Sequence, residues 1–478
     1  MALDFTPKTV DDIAPERRPS FRLALAPVLA VVLFLGVGSA VLGLDPHVPL
    51  LWSIVFTGAF GQYLGYSWPD LYEGISNGLL MGLQAILIIF TIYALIATWV
   101  DAGTIPAMMY FGLELLSPRV FLPVAAILAA VVAFAIGSSW TTVGTLGVAF
   151  VGIGTGLGVP GPMTVGAVIS GAYAGDKQSP LSDTTNLAAG VTNTSLYDHI
   201  YRMRTGTAIA FGLAVLGFAA LGLQAGGAVP ADRIAEIQTA VDGTYNLSLF
   251  VFAPLAITFG LALRGYPALP VLVVGTFAGV CTAILVQGAA FVPAWEVFMS
   301  GTAPETGSEL VNDLLATGGL TGSAWTITIV VAALVLGGLL EHTGVLAVLA
   351  HHLSQGVQSS GGLIAGTGVS AILINALTAQ QYMSIVLPGM TLRNLYEEFG
   401  LDSDELSRAV EAAGTPTGAL IPWHAGGVFM ASATGVATLS YAPYYLFGFL
   451  SPLVLFAMAL SGRGVPTTSR DEHPHRAD

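Results

Sequence analysis

The chain has 478 residues, with only 15 Lys and Arg and 29 Asp and Glu; 54% of its side chains are apolar and 58 further residues are glycine. Soluble domains carry roughly a quarter charged residues, so a 9% charged chain with a mean hydropathy of +0.77 excludes a water-soluble enzyme. The net charge of −14 excludes a nucleic-acid partner, and apolar runs without period-two alternation exclude a membrane β-barrel. What remains is an all-α polytopic membrane protein held in lipid. One cysteine, Cys281, allows neither an intrachain disulfide nor a cysteine-based zinc site. The acidic excess, placed mainly in tails and loops, reads as a surface adapted to high salt.

A charge in hydrocarbon costs at least about 2.5–3.5 kcal/mol on insertion scales, so uncharged stretches mark the spans. With His counted neutral, they run over 23–44, 74–100, 120–175, 205–231, 243–263, 265–295, 314–340, 342–392 and 412–462. The long ones hold two crossings, or one crossing and a re-entrant piece, and 50–66 adds a short apolar segment. The expectation is roughly 10–12 transmembrane segments. Residues 1–22 form a charged tail without a signal-peptide cleavage pattern, and 463–478 form a second tail. Arg17, Arg18 and Arg22 precede the first span, Arg202, Arg204 and Arg264 sit in loops, and Arg463 and Arg470 follow the last span. The loops near 226–242 and 292–313 are acidic instead. The positive-inside rule then puts both termini in the cytoplasm.

Two stretches break the apolar rule early in the chain. Gly137-Ser-Ser-Trp-Thr-Thr-Val-Gly-Thr145 is followed by Gly175-Asp-Lys-Gln-Ser-Pro-Leu-Ser-Asp-Thr-Thr-Asn-Leu187. Two more break it late: Asn375-Ala-Leu-Thr-Ala-Gln-Gln-Tyr382, then Gly414-Thr-Pro-Thr-Gly-Ala-Leu-Ile-Pro-Trp-His-Ala-Gly-Gly427. Ser138 to Asp176 is 38 residues and Thr378 to Thr415 is 37. Paired breaks at matched spacing predict two inverted repeats with broken helices or re-entrant hairpins, about 75–205 and 324–462, joined by spans in 206–323. An isolated Ser or Thr in a span is more often a packing residue; the clustering and the spacing favour the repeat.

The carboxylates among these breaks carry the chemistry. Asp183 sits in Ser182-Asp183-Thr184-Thr185-Asn186. One carboxylate with hydroxyls, an amide oxygen and freed carbonyls can replace the water around Na⁺, with Asp183 and Thr184 as metal ligands. The same carboxylate can hold a proton instead, so the two cations compete. Equally, Asp183 reads as an N-cap in an ordinary turn. Asp176 and Lys177 read as an ion pair, or Asp176 as a second proton carrier. Glu411 and Arg408, three apart on a helix, read as a local pair. His424 reads as a proton relay or as a hydrogen bonder to a carbonyl. Glu341 and His342 are expected at an interface. Gly74-Ile-Ser-Asn-Gly78 mimics a nucleophile elbow without its preceding strand, and no Walker A pattern follows either lysine.

Four stretches together resemble the NhaC family of sodium/proton antiporters: Gly103-Thr-Ile-Pro106; Gly137-Ser-Ser-Trp140 with Gly144-Thr145; the Gly175–Leu187 run; and Thr378-Ala-Gln-Gln-Tyr-Met-Ser-Ile-Val-Leu-Pro-Gly389 with Leu406-Ser-Arg, Glu411, Gly414-Thr and Leu420-Ile-Pro-Trp423. The resemblance spans about 90–460. It implies a multi-pass secondary transporter of the inner (plasma) membrane exchanging Na⁺ for H⁺, both as cargo and with no cofactor. It also implies Asp176, Ser182, Asp183, Thr184 and Thr185, with Asn186 beside them, as cation or proton residues. Ser138, Thr141, Thr142, Thr378, Gln381 and Thr415 are implied as lining positions. His424 stands where the family pattern has Asn. The Gly175–Leu187 run also resembles relatives that couple Na⁺ and H⁺ to organic-acid exchange of the malate/lactate type. Lys177 would then meet the substrate carboxylate. No residue favours an amino-acid transporter. A homodimer is an assembly that the sequence leaves open.

Overall fold

The structure, a computed structural model, describes residues 8–225, 231–355 and 357–462. Residues 1–7 of the first expected tail and all of 463–478, with Arg463 and Arg470, lie outside the described residues. Among the described residues the chain is helical without a strand. The helices are α1 (Phe21–Leu35), α2 (His47–Tyr63), α3 (Trp68–Asp101), α4 (Thr104–Leu115), α5 (Pro118–Ile136), α6 (Ser139–Gly156), α7 (Gly161–Asp176), α8 (Asp183–Thr192) and α9 (Leu196–Ala225). A middle group follows: α10 (Ala231–Thr244), α11 (Ala253–Ala262), α12 (Ala268–Leu285), α13 (Phe291–Ser300), α14 (Glu309–Leu315) and α15 (Gly319–Gly322). The last group is α16 (Ala324–His342), α17 (Val345–Gln355), α18 (Ser360–Thr378), α19 (Gln381–Thr391), α20 (Arg393–Glu398), α21 (Ser403–Thr417), α22 (Ala425–Thr434), α23 (Thr438–Tyr441) and α24 (Leu446–Ser461).

Among the described residues seven helices are long and apolar enough to cross a membrane, and nine spans result if each of two sharply bent pairs counts as one. Several remaining apolar stretches of the sequence are shorter helices around the breaks. α6 and α7, with 18 and 16 residues, are buried along most of their length. They are internal elements walled by the longer helices.

The breaks follow one backbone recipe. α5 ends at Gly137 in the left-handed region (φ 74°), and Ser138 is then extended and caps α6. α18 ends at Ala379, also left-handed (φ 54°), and Gln380 is then extended before α19. Downstream, α8 starts after the extended cap Ser182 and α22 after the extended cap His424. Cap-to-cap separation is 44 residues in both places, Ser138 to Ser182 and Gln380 to His424. This register replaces the break-to-break spacing of the sequence reading: Ser138 corresponds to Gln380, and Thr378 falls two residues earlier.

Broken helices survive at membrane depth only if the freed backbone groups find partners. Here they do. The Ala425 amide donates to the Ala379 carbonyl at 3.0 Å. The Trp423 indole donates to the Ala376 carbonyl at 2.8 Å. Asn375 donates to the Gly414 carbonyl and, at 3.0 Å, to the Thr417 hydroxyl.

Small residues let the helices around the breaks touch backbone to backbone. A Cβ on Gly171 would lie 1.9 Å from the Ala126 carbonyl oxygen, and one on Gly175 2.0 Å from that of Ala130. α5 and α7 therefore mesh through two small residues four apart on each. α3 and α16 do the same at Gly74, Gly78 and Gly338.

Candidate functional site

The first break of each half and the half-helix α8 meet at one cavity of about 340 Å³. Its wall includes Ser138, Ser139, Trp140 and Thr141 from the start of α6, and Gln380, Gln381 and Tyr382 from the start of α19. Asp176 closes α7, Asp183 opens α8, Gln84 projects from α3, and the α11–α12 connection contributes Gly265 to Ala268. Leu181 and Tyr266 on this wall are exposed, so the cavity reaches the molecular surface beside them.

Asp183 is the first residue of α8, and Ser182 is its N-cap, accepting from the Thr185 amide. The N-cap reading of Asp183 is thereby corrected by one residue. One Asp183 oxygen accepts from the Thr184 amide at 2.8 Å and the other from the Tyr382 hydroxyl. A helix N-terminus stabilises a carboxylate, and a tyrosine from the other half aims it. Asp176 is 2% exposed. Its Oδ2 accepts from the Ser139 amide at 3.0 Å, and its Oδ1 is buried without a hydrogen-bond partner. The Ser139 hydroxyl beside it is likewise buried and unpartnered. Such atoms cost about 1–3 kcal/mol each, and a site that binds something is where this cost is tolerated.

Of the residues singled out in the sequence, Asp183, Asp176, Thr184, Ser138, Thr141 and Gln381 line this cavity. The others stand behind its wall for identifiable reasons. Ser182 is consumed as the cap of α8. Asn186 folds back onto the carbonyls of Pro180 and Ser182. Thr142 and Thr378 donate to carbonyls one turn back, those of Ser138 and Ile374. Thr415 is buried without a partner for its hydroxyl.

The expected Asp176–Lys177 pair does not form. Lys177 turns to α24, donating to Ser451 at 2.9 Å with its ammonium 5.3 Å from the Phe447 ring centroid. Successive residues at a helix end point in different directions, so adjacency in sequence gave no contact. His424 makes two bonds, accepting at Nδ1 from the Gly426 amide and pairing at Nε2 with the Asn375 oxygen at 3.1 Å. It serves as the cap of α22, with side-chain and amide partners in place of the expected carbonyl.

The expected Glu411–Arg408 pair is also corrected. Arg408 pairs with Glu405, which Arg202 reaches at 2.7 Å from α9. Glu411, fully buried, lies 2.5 Å from His199 and accepts from the Thr184 and Thr185 hydroxyls at 3.3 and 3.2 Å. Thr185 therefore faces Glu411, away from the cavity. Glu341 and His342 are buried, with the Lys8 amide donating to Glu341 at 2.8 Å. Sequence reasoning missed the Glu411–His199 contact, the bond from Tyr382 and the contribution of Gln84. The available signal for Glu411 was an acid set among Ala409, Ala412, Ala413 and Gly414, a helix face too small to be a surface.

Among the described residues no three His, Cys, Asp or Glu side chains converge on a metal position. Oxygen donors at the cavity are instead single carboxylates with hydroxyls and amides around them. Apolar spans and helices interrupted around an anionic cavity define a membrane-embedded secondary transporter. The chain belongs to the Na⁺/H⁺ antiporter family, whose profile matches residues 171–463. It is 53% identical over 99% of both chains to the arginine/ornithine antiporter ArcD of Halobacterium salinarum. It is 39% identical to the Na⁺/H⁺ antiporter NhaC of Alkalihalophilus pseudofirmus, over 89% of this chain and 92% of that one. It is 34% identical to the malate-2H⁺/Na⁺-lactate antiporter of Bacillus subtilis, over 82% and 84% of the two chains.

Proposed function

We propose that the protein is an antiporter of cations, with Asp183 as the principal binding carboxylate and Asp176 beside it. One observation carries this reading: among the described residues, two carboxylates and no Lys or Arg line the cavity. A cavity of about 340 Å³ falls in the roughly 300–1,000 Å³ range of organic-ligand pockets and exceeds what one bare ion fills. With the 53% identity to an arginine/ornithine antiporter, this favours a cationic amino acid as cargo, exchanged for another of the same charge. The sequence alone had offered nothing in favour of that cargo.

The second reading is Na⁺ against H⁺. It is favoured by the oxygen donors on the wall, namely Asp183, Asp176, Ser138, Thr141, Thr184 and Gln381, and by the NhaC relatives. One carboxylate neutralised by either cation binds them in competition, and alternating access turns competition into exchange. Organic-acid exchange is disfavoured because Lys177 is fully buried and held by Ser451, away from the cavity. In this scheme the moving parts are the two repeats, about 75–205 and 324–462, set in opposite orientations. The Arg264 connection beside the cavity would mark the cytoplasmic face.

Reconstitution into liposomes tests the proposal. Labelled ornithine, arginine and Na⁺ are offered in turn with a pH dye inside, alongside K⁺, malate and lactate. Ornithine uptake driven by internal arginine supports the first reading, and Na⁺-driven alkalinisation or acidification supports the second. Malate or lactate exchange in the absence of any cation flux would overturn both.

A further inference from the structure

His199 is one of the buried titratable groups that cavity chemistry leaves unused. It lies on α9, fully buried, with both ring nitrogens in contact: Nε2 at 2.5 Å from Glu411 Oε2, and Nδ1 at 2.5 Å from Ser407 Oγ. The other Glu411 oxygen accepts from Thr184 and Thr185 on α8, and the Thr184 hydroxyl is also 3.1 Å from that of Ser182. Thr184 stands on the cavity wall. A chain of polar contacts thus leads from the cavity through Thr184 and Glu411 to an imidazole and ends at Ser407; its Glu411–His199 link is a close ion-pair contact in which neither Nε2 nor Oε2 has a hydrogen-bond partner.

We propose that His199 holds a proton used in the transport cycle, at a site separate from the cavity and joined to it by Glu411 and α8. The inference rests on reading the cavity as the exchange site. The proton at Nδ1, turned to the Ser407 hydroxyl, stays in place. A second proton, at Nε2 against the Glu411 carboxylate, comes and goes by way of Glu411 and the Thr184 hydroxyl, because Nε2 is the ring nitrogen on the cavity side of the chain. Adding it takes the pair from neutral imidazole plus carboxylate to imidazolium plus carboxylate. Cavity water supplies that proton and receives it back.

Neutralising the pair weakens the pull of Glu411 on the two threonine hydroxyls, since hydrogen bonds to an uncompensated carboxylate are the strong ones. Those hydroxyls fix the first turn of α8, whose first residue is Asp183. Protonation at His199 therefore loosens the half-helix that presents the cation-binding carboxylate. Glu411 is a positioning residue in this scheme.

The charged surroundings are compatible with a proton that can leave. On α9 itself stand Asp198, Arg202 and Arg204, the last laid over the Tyr201 ring, and on α21 Asp404, Glu405 and Arg408. Arg202 and Arg408 are committed to Glu405. Lys177, at the end of α7, is held by Ser451 on α24. Asp183 on α8 is held by Tyr382 from α19, and Arg393 of α20 donates to the Val191 carbonyl. Glu411 is the carboxylate in contact with the imidazole.

The test uses full-length protein in liposomes, with exchange measured from pH 6 to 8.5 for wild type, His199→Gln, Ser407→Ala and Asp183→Asn. His199→Gln is expected to flatten the pH dependence to less than about twofold across that range. A merely structural role would lower the rate at every pH by one factor. Ser407→Ala keeps the buried pair and removes the hydroxyl at Nδ1; the midpoint of the profile should move by about half a pH unit or more. It decides the matter if His199→Gln does not insert. A wild-type profile in either inserted variant, or a wild type without pH dependence, overturns the proposal. Full exchange in Asp183→Asn would instead overturn the cavity reading, and the His199 profile would still report on the proton.

Discussion

At the residue scale the cavity is organised by what each oxygen already holds. Asp183 has one oxygen on its own helix and one on Tyr382; Asp176 has one on Ser139 and one on nothing. The unpartnered oxygen is the more exacting position, because a cation is the simplest partner that removes its cost. Asp183→Asn is expected to reduce exchange to the level of empty liposomes with normal membrane insertion, and Asp176→Asn to reduce it at least about tenfold, near 1.4 kcal/mol. Tyr382→Phe removes a hydrogen bond to a charge, of the kind that contributes about 1.5–3 kcal/mol. A rise in KM of roughly tenfold at little-changed kcat is the expected result in transport assays, and an unchanged KM would remove Tyr382 from the site. The pentad around Asp183 was legible because a carboxylate among hydroxyls at a break is locally written. Tyr382 and Glu411 were not, since each meets α8 across two hundred residues of chain, and no local pattern encodes such a contact.

At the scale of elements, the two halves solve the same turn with different residues. Gly137 takes a left-handed conformation at no steric cost, whereas Ala379 takes it against a penalty of about 1–2 kcal/mol. A Cβ at Gly137 would also lie 2.6 Å from the Leu181 backbone. Gly137→Ala should therefore lower the thermal stability of the detergent-solubilised protein by more than about 1 kcal/mol, and Ala379→Gly should raise it or leave it unchanged. Equal losses in both would deny the shared recipe. The breaks themselves were visible as polar interruptions of apolar runs, but their correspondence was read two residues off. Thr378 looks like the counterpart of Ser138 by composition, and only the backbone shows that Gln380 is. The α21–α9 cluster shows the same limit: Arg408 pairs three residues back with Glu405, where spacing three forward to Glu411 was equally available.

At the scale of the whole molecule, any alternating stroke must break or carry along the contacts between the halves, an aromatic stack among them. Trp140 of α6 stacks on Phe429 of α22 with centroids 4.4 Å apart and planes within 12°. With exposed Cys281 replaced by Ser, a reducible cross-link between Trp140→Cys and Phe429→Cys should stop exchange, and reductant should restore it. Exchange that continues through the cross-linked protein would mean the halves do not part there. Cargo also sets voltage dependence. Exchanging one monovalent cationic amino acid for another moves no net charge, whereas unequal Na⁺ and H⁺ counts feel about 2.3 kcal/mol per charge per 100 mV. A valinomycin-clamped potential should leave the first unchanged and accelerate or slow the second.

The seam between α3 and α16 has a further consequence. A Cβ at Gly78 would come 2.4 Å from the Leu334 carbonyl oxygen, and one at Gly338 would come 2.3 Å from that of Gly74. Beside this backbone contact the Leu334 side chain is seated over Gly82, and the Tyr93 and Thr326 hydroxyls meet at 2.7 Å, so the two rods are keyed to each other as well as touching. A single methyl at Gly78 or Gly338 would act as grit in that seam, prising the rods open and pulling the key out of its slot.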